Sequence, residues 1–301
     1  MTWTPKLKGV YPDNSFFYVP YVLDLANPAR LVLGTDSVYE SLDRADSWTL
    51  LSVPFFGGWN TSAVIDSLAL CGVNSDTIYA SAGGKVFATF NHGGFWTERD
   101  IPGVSDNVQA LQLDPASNLT VYAVRARIGG GHVFMTTDGG VGWKDISGDL
   151  PDLPAYCVVL DPRTSPHALY VGNYNGVYVT KNLGAHWSRV GTGLPNALVL
   201  DLEENTDLNV LAAGTHGRGV WEISLNTASG TAPTLSMGAV GNHTLTLSWP
   251  ASAIGFTLQT ATSLQPPINW QTVTNSPSQS GESLTVNIPT TNLIQFFRLV
   301  R

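Results

Sequence analysis

The stretch TTDGGVGW, Thr136 to Trp143, decides the fold because the chain writes it four times. The other copies are SLDRADSW (Ser41 to Trp48), TFNHGGFW (Thr89 to Trp96) and TKNLGAHW (Thr180 to Trp187). Each reads Ser/Thr-x-Asp/Asn-x-Gly-x-x-Trp, with Ala45 standing at the glycine position of the first. The four tryptophans recur about every 45 residues, a period that implies a solenoid, propeller or array.

Working outward, each copy has the same preface. ALQLDPASNLTVYAVRARIGGGHVFM precedes Thr136 and CVVLDPRTSPHALYVGNYNGVYV precedes Thr180. Both read as strand, Asp-Pro turn, strand, Gly-rich turn, strand, so one unit is four antiparallel strands with the repeated box as the turn between the third and fourth. The chemistry of that turn explains its residues. Asp or Asn accepts hydrogen bonds from its own turn, Gly takes a positive φ, and Trp packs between neighbouring sheets. Asp43, Asn91, Asp138 and Asn182 are therefore read as folding residues, not catalytic ones.

The pattern resembles the bacterial-neuraminidase repeat, or Asp-box, of sialidases, xyloglucan-cleaving hydrolases, sortilin-type receptors and a photosystem assembly factor. The resemblance runs from about Trp3 to Leu225. It implies an all-β fold: an Asp-box β-propeller, followed by a small C-terminal β-sandwich. Inner strands beginning near Tyr21, Ala63, Val108, Tyr156 and Ala197 give five blades. The last, LVLDLEENTDLNVLAAGTHGRGVWEISL, has three strands and no box. Trp3 to Leu7 reads like the strand after a box tryptophan, so the favoured architecture is five blades closed by this N-terminal strand, which hides an open edge. The alternative is a chain cut from a larger propeller.

The expected domains are the propeller over 1–226, a linker over 227–232 and a fibronectin-like or carbohydrate-binding-like sandwich over 233–301. In the sandwich region, segments such as HTLTLSWP and SLTVNIP alternate at period two, with Trp249, Phe256, Trp270, Phe296 and Phe297 as the expected core.

Composition narrows the partners. Net charge is −8 and only 13% of the 301 residues are charged, which disfavours nucleic acid, since that needs clustered Lys and Arg. No apolar run approaches the roughly 18 residues of a membrane span, so no membrane insertion is expected. Cys71 and Cys157 fall on different blades and predict no disulfide, and no metal spacing or cofactor motif is present. Few Lys and many Thr, Ser and Asn fit an extracellular, secreted bacterial protein whose signal peptide lies outside this sequence.

Ligand chemistry is expected on the face opposite the boxes, where blade-to-blade connections and second-to-third-strand turns emerge. Those turns place Tyr11, Phe17, Tyr18, Phe55, Trp59, Tyr156 and Tyr174 as aromatic contacts, with Arg125, Arg127, His132, His216 and Arg218 as polar ones. Stacking faces beside carboxylates and amides suit a polysaccharide or glycan; a protein is the second partner class. Hydrolysis would need two carboxylates flanking the glycosidic bond. Asp36, in LVLGTDSVYES, is similar to the Thr-Asp turn of xyloglucan-cleaving hydrolases, where the resemblance implies a catalytic base. Asp13 and Asp106 are the other candidates, because that family draws its acid from a second propeller this chain lacks. A sialidase site is disfavoured: Arg125 and Arg127 share one turn, and no Glu partners a nucleophilic Tyr. The sequence thus points to a secreted carbohydrate-directed propeller resembling a glycoside hydrolase, with a non-catalytic glycan- or protein-binding module as the alternative.

Overall fold

The computed structural model describes residues 2, 4–11, 15, 19–24, 26–225, 233–241, 244–251, 253, 256–265, 268–289 and 294–300. The chain divides into two compact units, Met1–Thr227 and Ala228–Arg301. All regular structure among the described residues is β.

The first unit is a propeller, with five antiparallel sheets among the described residues. The first holds β1 (Tyr21–Leu23), β2 (Leu31–Gly34), β3 (Val38–Ser41) and β4 (Thr49–Leu50). The second holds β5 (Ile65–Leu70), β6 (Ile78–Ala82), β7 (Lys85–Thr89) and β8 (Thr97–Glu98). The third holds β9 (Val108–Leu113), β10 (Val121–Arg125), β11 (Val133–Thr136) and β12 (Lys144–Asp145). The fourth holds β13 (Ala155–Asp161), β14 (Ala168–Asn173), β15 (Gly176–Thr180) and β16 (Ser188–Arg189). The fifth, among the described residues, holds β17 (Val199–Asn205), β18 (Val210–Thr215) and β19 (Gly219–Ser224). Successive inner strands β5, β9, β13 and β17 pack on one another. Strands β6, β10 and β14 carry no exposed residue, which is why they read as unbroken apolar or small runs.

Every box closes in the same way. The Ser41, Thr89, Thr136 or Thr180 hydroxyl donates to the Asp or Asn two residues on, at 2.7–3.0 Å, and accepts the N–H four residues on, at 2.8–3.0 Å. The Asp or Asn oxygen then caps the N–H four residues beyond itself, at 2.8–2.9 Å. The tryptophan reaches across to the preceding segment. Indole N–H groups of Trp48, Trp96, Trp143 and Trp187 donate to the carbonyls of Lys6, Leu51, Arg99 and Ile146. Each acceptor stands three residues after a tryptophan, including Trp3 before Lys6.

Four apolar cores lie between successive sheets, and among the described residues none joins the fifth sheet to the first. The fifth sheet also departs from the repeat. Val38, Val86, Val133 and Val177 are buried and take an N–H from the segment after the fourth strand, whereas the equivalent Val220 is 80% exposed. Trp221 is 39% exposed where Tyr39, Phe87, Phe134 and Tyr178 are buried. A cleft opens here between Val177 and Val190 of the fourth sheet and Leu211, Trp221 and Ile223 of the fifth. Among the described residues Val190 receives no indole, since no box follows β19, and the Trp221 indole donates to the nearby Arg218 carbonyl. The expected pairing of the N-terminal strand with this edge is not found among them either, although Lys6 and Lys8 offer their carbonyls to Trp48 of the first box as Leu51 and Gly57 do to Trp96 of the second.

The second unit packs two sheets. One orders β20 (Ser236–Gly241), β21 (Thr244–Pro250), β25 (Ser283–Pro289) and β24 (Ser278–Ser280); the other orders β23 (Gln271–Thr272), β22 (Thr257–Ala261) and β26 (Phe296–Val300). Trp249 is buried in the core with Leu245, Leu247, Leu258, Val286 and Ile288, and Phe297 packs against it. Phe256, Trp270 and Phe296 are only half-buried. The Trp270 ring carries the Arg298 guanidinium at 4.2 Å, an arrangement that occupies one of its faces. The expected linker lies outside the described residues.

Candidate functional site

The turn face is built from the ends of inner strands and the turns beside them. Asp36 sits half-buried in the β2–β3 turn, where its carboxylate accepts the Ser37 hydroxyl at 3.2 Å. Its own carbonyl takes the Trp59 indole N–H at 3.2 Å, and the neighbouring Thr35 carbonyl takes the Ile65 N–H at 2.7 Å. That last bond sets the first residue of β5 against the Asp36 turn. The next residue is Asp66.

Asp66 was invisible as a site residue in the sequence, where it is one acid in a strand. In the structure its carboxyl accepts the Gly83 N–H at 3.2 Å and the Asn107 side-chain amide at 2.9 Å. Burial without a bonded cation pushes its pKa up to about 6, and the two hydrogen bonds only partly offset this.

Neighbouring Asp106 lies on the same face but is not free. Arg127 bonds both its oxygens, at 2.8 and 2.9 Å, and Arg125 bonds one at 3.1 Å. The Arg127 guanidinium, with Arg125 behind it, holds the Asp106 carboxyl below its ordinary range. Asp106 as a catalytic carboxylate is therefore corrected to an ion-pair anchor, and Arg125 and Arg127 are corrected with it. Arg125 is buried and bonds the Gly129 carbonyl as well. The belt continues through Asp152, which accepts the Gly129 N–H at 2.6 Å and pairs with His132 Nε2 at 3.0 Å. His132 is 2% exposed, so it props this turn from beneath and is not a surface contact.

Tyr156, at the start of β13, is half-buried, and burial with the nearby Tyr174 raises its phenol pKa. Tyr174 is exposed in the β14–β15 turn. His216 and Arg218 are exposed in the β18–β19 turn, and Tyr11 is exposed ahead of the first sheet. Asp13, Phe17 and Tyr18 lie outside the described residues.

Two aromatic expectations change. Trp59 is fully buried, its ring 4.5 Å from Phe87 and 5.0 Å from Trp96, so it is core and not a ligand platform. Phe55 is exposed, but in a connection that dips to the next box: Gly57 accepts the Trp96 N–H, and Gly58 packs on Phe95. Asp149 dips in the same way, bonding the Trp187 N–H at 2.6 Å and His186 at 2.5 Å. The physical reason is common to both. Two-residue fourth strands leave the next box's backbone donors uncovered, and the connection folds down to meet them.

The inner strands share one further feature. Register slips once near the start of β5, β9, β13 and β17, leaving Asp66, Gln109, Tyr156 and Leu200 without cross-strand partners. A bulge re-aims the unpaired side chain, and bulges are frequent beside active sites. Nothing in an unaligned sequence marks them. Among the described residues no cluster of His, Cys, Asp and Glu could hold a metal ion.

No family model matches the chain, and no curated protein matches it. Solved structures do. It is similar to the GH74 xyloglucanase from Xanthomonas campestris, with 18% identity and a TM-score of 0.57 over 89% of this chain and 47% of that one. The GH74 enzyme of Niastella koreensis gives 18% identity and a TM-score of 0.58 over 80% of this chain and 42% of the other. YCF48 from Cyanidioschyzon merolae gives 12% identity and a TM-score of 0.51, covering 92% and 95%. The chain thus spans less than half the length of the xyloglucanases it matches, and at these identities the likeness is one of fold. The protein is a β-propeller.

Proposed function

We propose that the chain is an exported carbohydrate-directed propeller that binds a neutral glycan on its turn face. One observation carries the reading: the face offers hydrogen-bonding groups beside aromatic rings, while Arg125 and Arg127 are engaged by Asp106 and Arg218 stands exposed in the β18–β19 turn. Asp36 lies among hydroxyls, burial pushes the pKa of Asp66 up to about 6, and Tyr156 stands next to Tyr174. Hydroxyl-rich, uncharged ligands need such groups, with ring faces for their C–H surfaces. The xyloglucanases among the fold neighbours support polysaccharide as the class and xyloglucan as the first to try.

Binding is put ahead of cleavage because Asp106, the second candidate carboxylate, is held by two guanidiniums, whereas hydrolysis needs a free pair about 5–10 Å apart, which leaves Asp66 beside the Asp36 turn as the carboxyl a hydrolase would have to use. The test is affinity electrophoresis through xyloglucan and other neutral polysaccharides, run beside reducing-sugar release for wild type and Asp36→Asn. Retardation without sugar release is the expected result. Release that Asp36→Asn abolishes would return the chain to the hydrolases. Absence of retardation leaves the second reading ahead, a protein contact through Phe55 and Phe56, which are 71% and 74% exposed on the box side.

A further inference from the structure

The bulged residues form a set, one at the same position of each inner strand from β5 to β17. Ile65, Val108, Ala155 and Val199 hold equivalent positions in β5, β9, β13 and β17, and all four are buried. The next residue in each strand drops out of register, and each is at least partly exposed: Asp66, Gln109, Tyr156 and Leu200. Because these strands are the inner ones and neighbour one another in order, the four residues stand side by side along the inner rim of the turn face.

A structural role would have them bonded, and mostly they are not. Among the described residues the Gln109 amide and the Tyr156 hydroxyl have no protein hydrogen-bond partner, although both side chains are half-buried. Asp66 is bonded only by the Gly83 N–H and the Asn107 amide, which fix its carboxyl without neutralising it. Breaking the ladder costs each strand a paired residue, and in β5, β9 and β13 its return is a polar group turned toward the rim.

We propose that Asp66, Gln109 and Tyr156, with Leu200 as apolar neighbour, form a ring that receives one sugar residue of a neutral oligosaccharide through its hydroxyls. The proposal rests on the glycan reading and gives it an address. The Gln109 amide donates and accepts, the Tyr156 hydroxyl does the same, and Asp66 is oriented by Asn107 to meet a ligand hydroxyl. Discrimination against anionic ligands follows, since among the described residues no cation pairs with the Asp66 carboxyl of the ring and Arg125 and Arg127 face Asp106.

The experiment is isothermal titration of the full chain with cellohexaose and with a xyloglucan heptasaccharide, using wild type, Gln109→Ala, Tyr156→Phe and Asp66→Asn. Lys181→Ala, on an exposed box position, is the control. Loss of one ligand hydrogen bond corresponds to about a tenfold weaker Kd, expected for Gln109→Ala and Tyr156→Phe but not for Lys181→Ala. Tyr156→Phe keeps the ring and its packing, so an unchanged melting temperature separates lost contact from lost fold. If wild type binds and all three variants bind equally well, the ring is overturned while the glycan reading stands. Failure of wild type to bind either sugar takes down both.

Discussion

At Ala45 the first box breaks its own pattern, and the backbone shows what this costs. Two successive residues of every box are left-handed: Arg44 and Ala45 at φ 60° and 66°, His92 and Gly93 at 58° and 77°, Gly139 and Gly140 at 75° and 84°, Leu183 and Gly184 at 55° and 83°. Three boxes have glycine at the second of these, where a Cβ carries a penalty of about 1–2 kcal/mol. Ala45→Gly is expected to stabilise the chain by about 0.5–1 kcal/mol, the difference between relieved strain and added chain entropy, in urea denaturation. A destabilised variant would mean the Ala45 methyl packs more than its strain costs. Asp66 makes a second prediction at this scale. Its folded pKa of about 6 lies above the value of about 4 expected when unfolded, so its contribution is present below about pH 4 and is lost as pH rises through 6. Wild type should lose up to roughly 1 kcal/mol between pH 5 and pH 8 that Asp66→Asn retains, a figure already reduced for the group's partial solvent screening. Parallel pH profiles for the two proteins would rule out the raised pKa.

Box and tryptophan together act as a clip between sheets. Trp96 is buried, bonds the Leu51 carbonyl at 3.1 Å and stacks edge-on to Trp59, so its removal opens the core between the first and second sheets. Trp96→Ala should cost about 3–5 kcal/mol by chemical denaturation, whereas Trp48→Ala, at a half-buried box, should cost less. Equal losses at the two positions would show that burial is not what the tryptophans contribute. The bulges are the other element-scale device. They were not legible in the sequence because an inner strand with a slipped residue still reads as an apolar run, and the slip depends on where the partner strand turns.

The whole molecule poses the question of closure. In the first sheet Thr49 and Leu50 pair with Glu40 and Tyr39, and Leu51 donates its N–H to the Val38 carbonyl. Transferred to the fifth sheet, this register sets Thr4 and Pro5 opposite Glu222 and Trp221, and Pro5 falls where the missing N–H would point away from β19. A five-bladed ring closed by the N-terminal strand therefore predicts that Pro5→Cys with Trp221→Cys forms a disulfide within one chain. Oxidation followed by non-reducing electrophoresis and mass measurement checks this, with Cys71 and Cys157 both buried and free. Cross-linking only between chains, or none, would mean that another segment covers Val220 and the cleft beside Val190.

The sequence by itself determined the sheets, their four-stranded order and the positions of the boxes. All of these follow from local turn chemistry and from the periodic placement of tryptophan. It also located the face where Asp36, Tyr156 and Tyr174 emerge, since strand order fixes which turns share an end. Only the tertiary structure decided which of the candidate side chains are available. Trp59 and His132 became buried supports, Asp106 was taken by two arginines and Phe55 was carried to the box side, because burial and ion pairing depend on what a neighbouring sheet brings within a few ångströms. The same contacts raised Asp66, with its shifted carboxyl, from an ordinary strand acid to the centre of the proposed site.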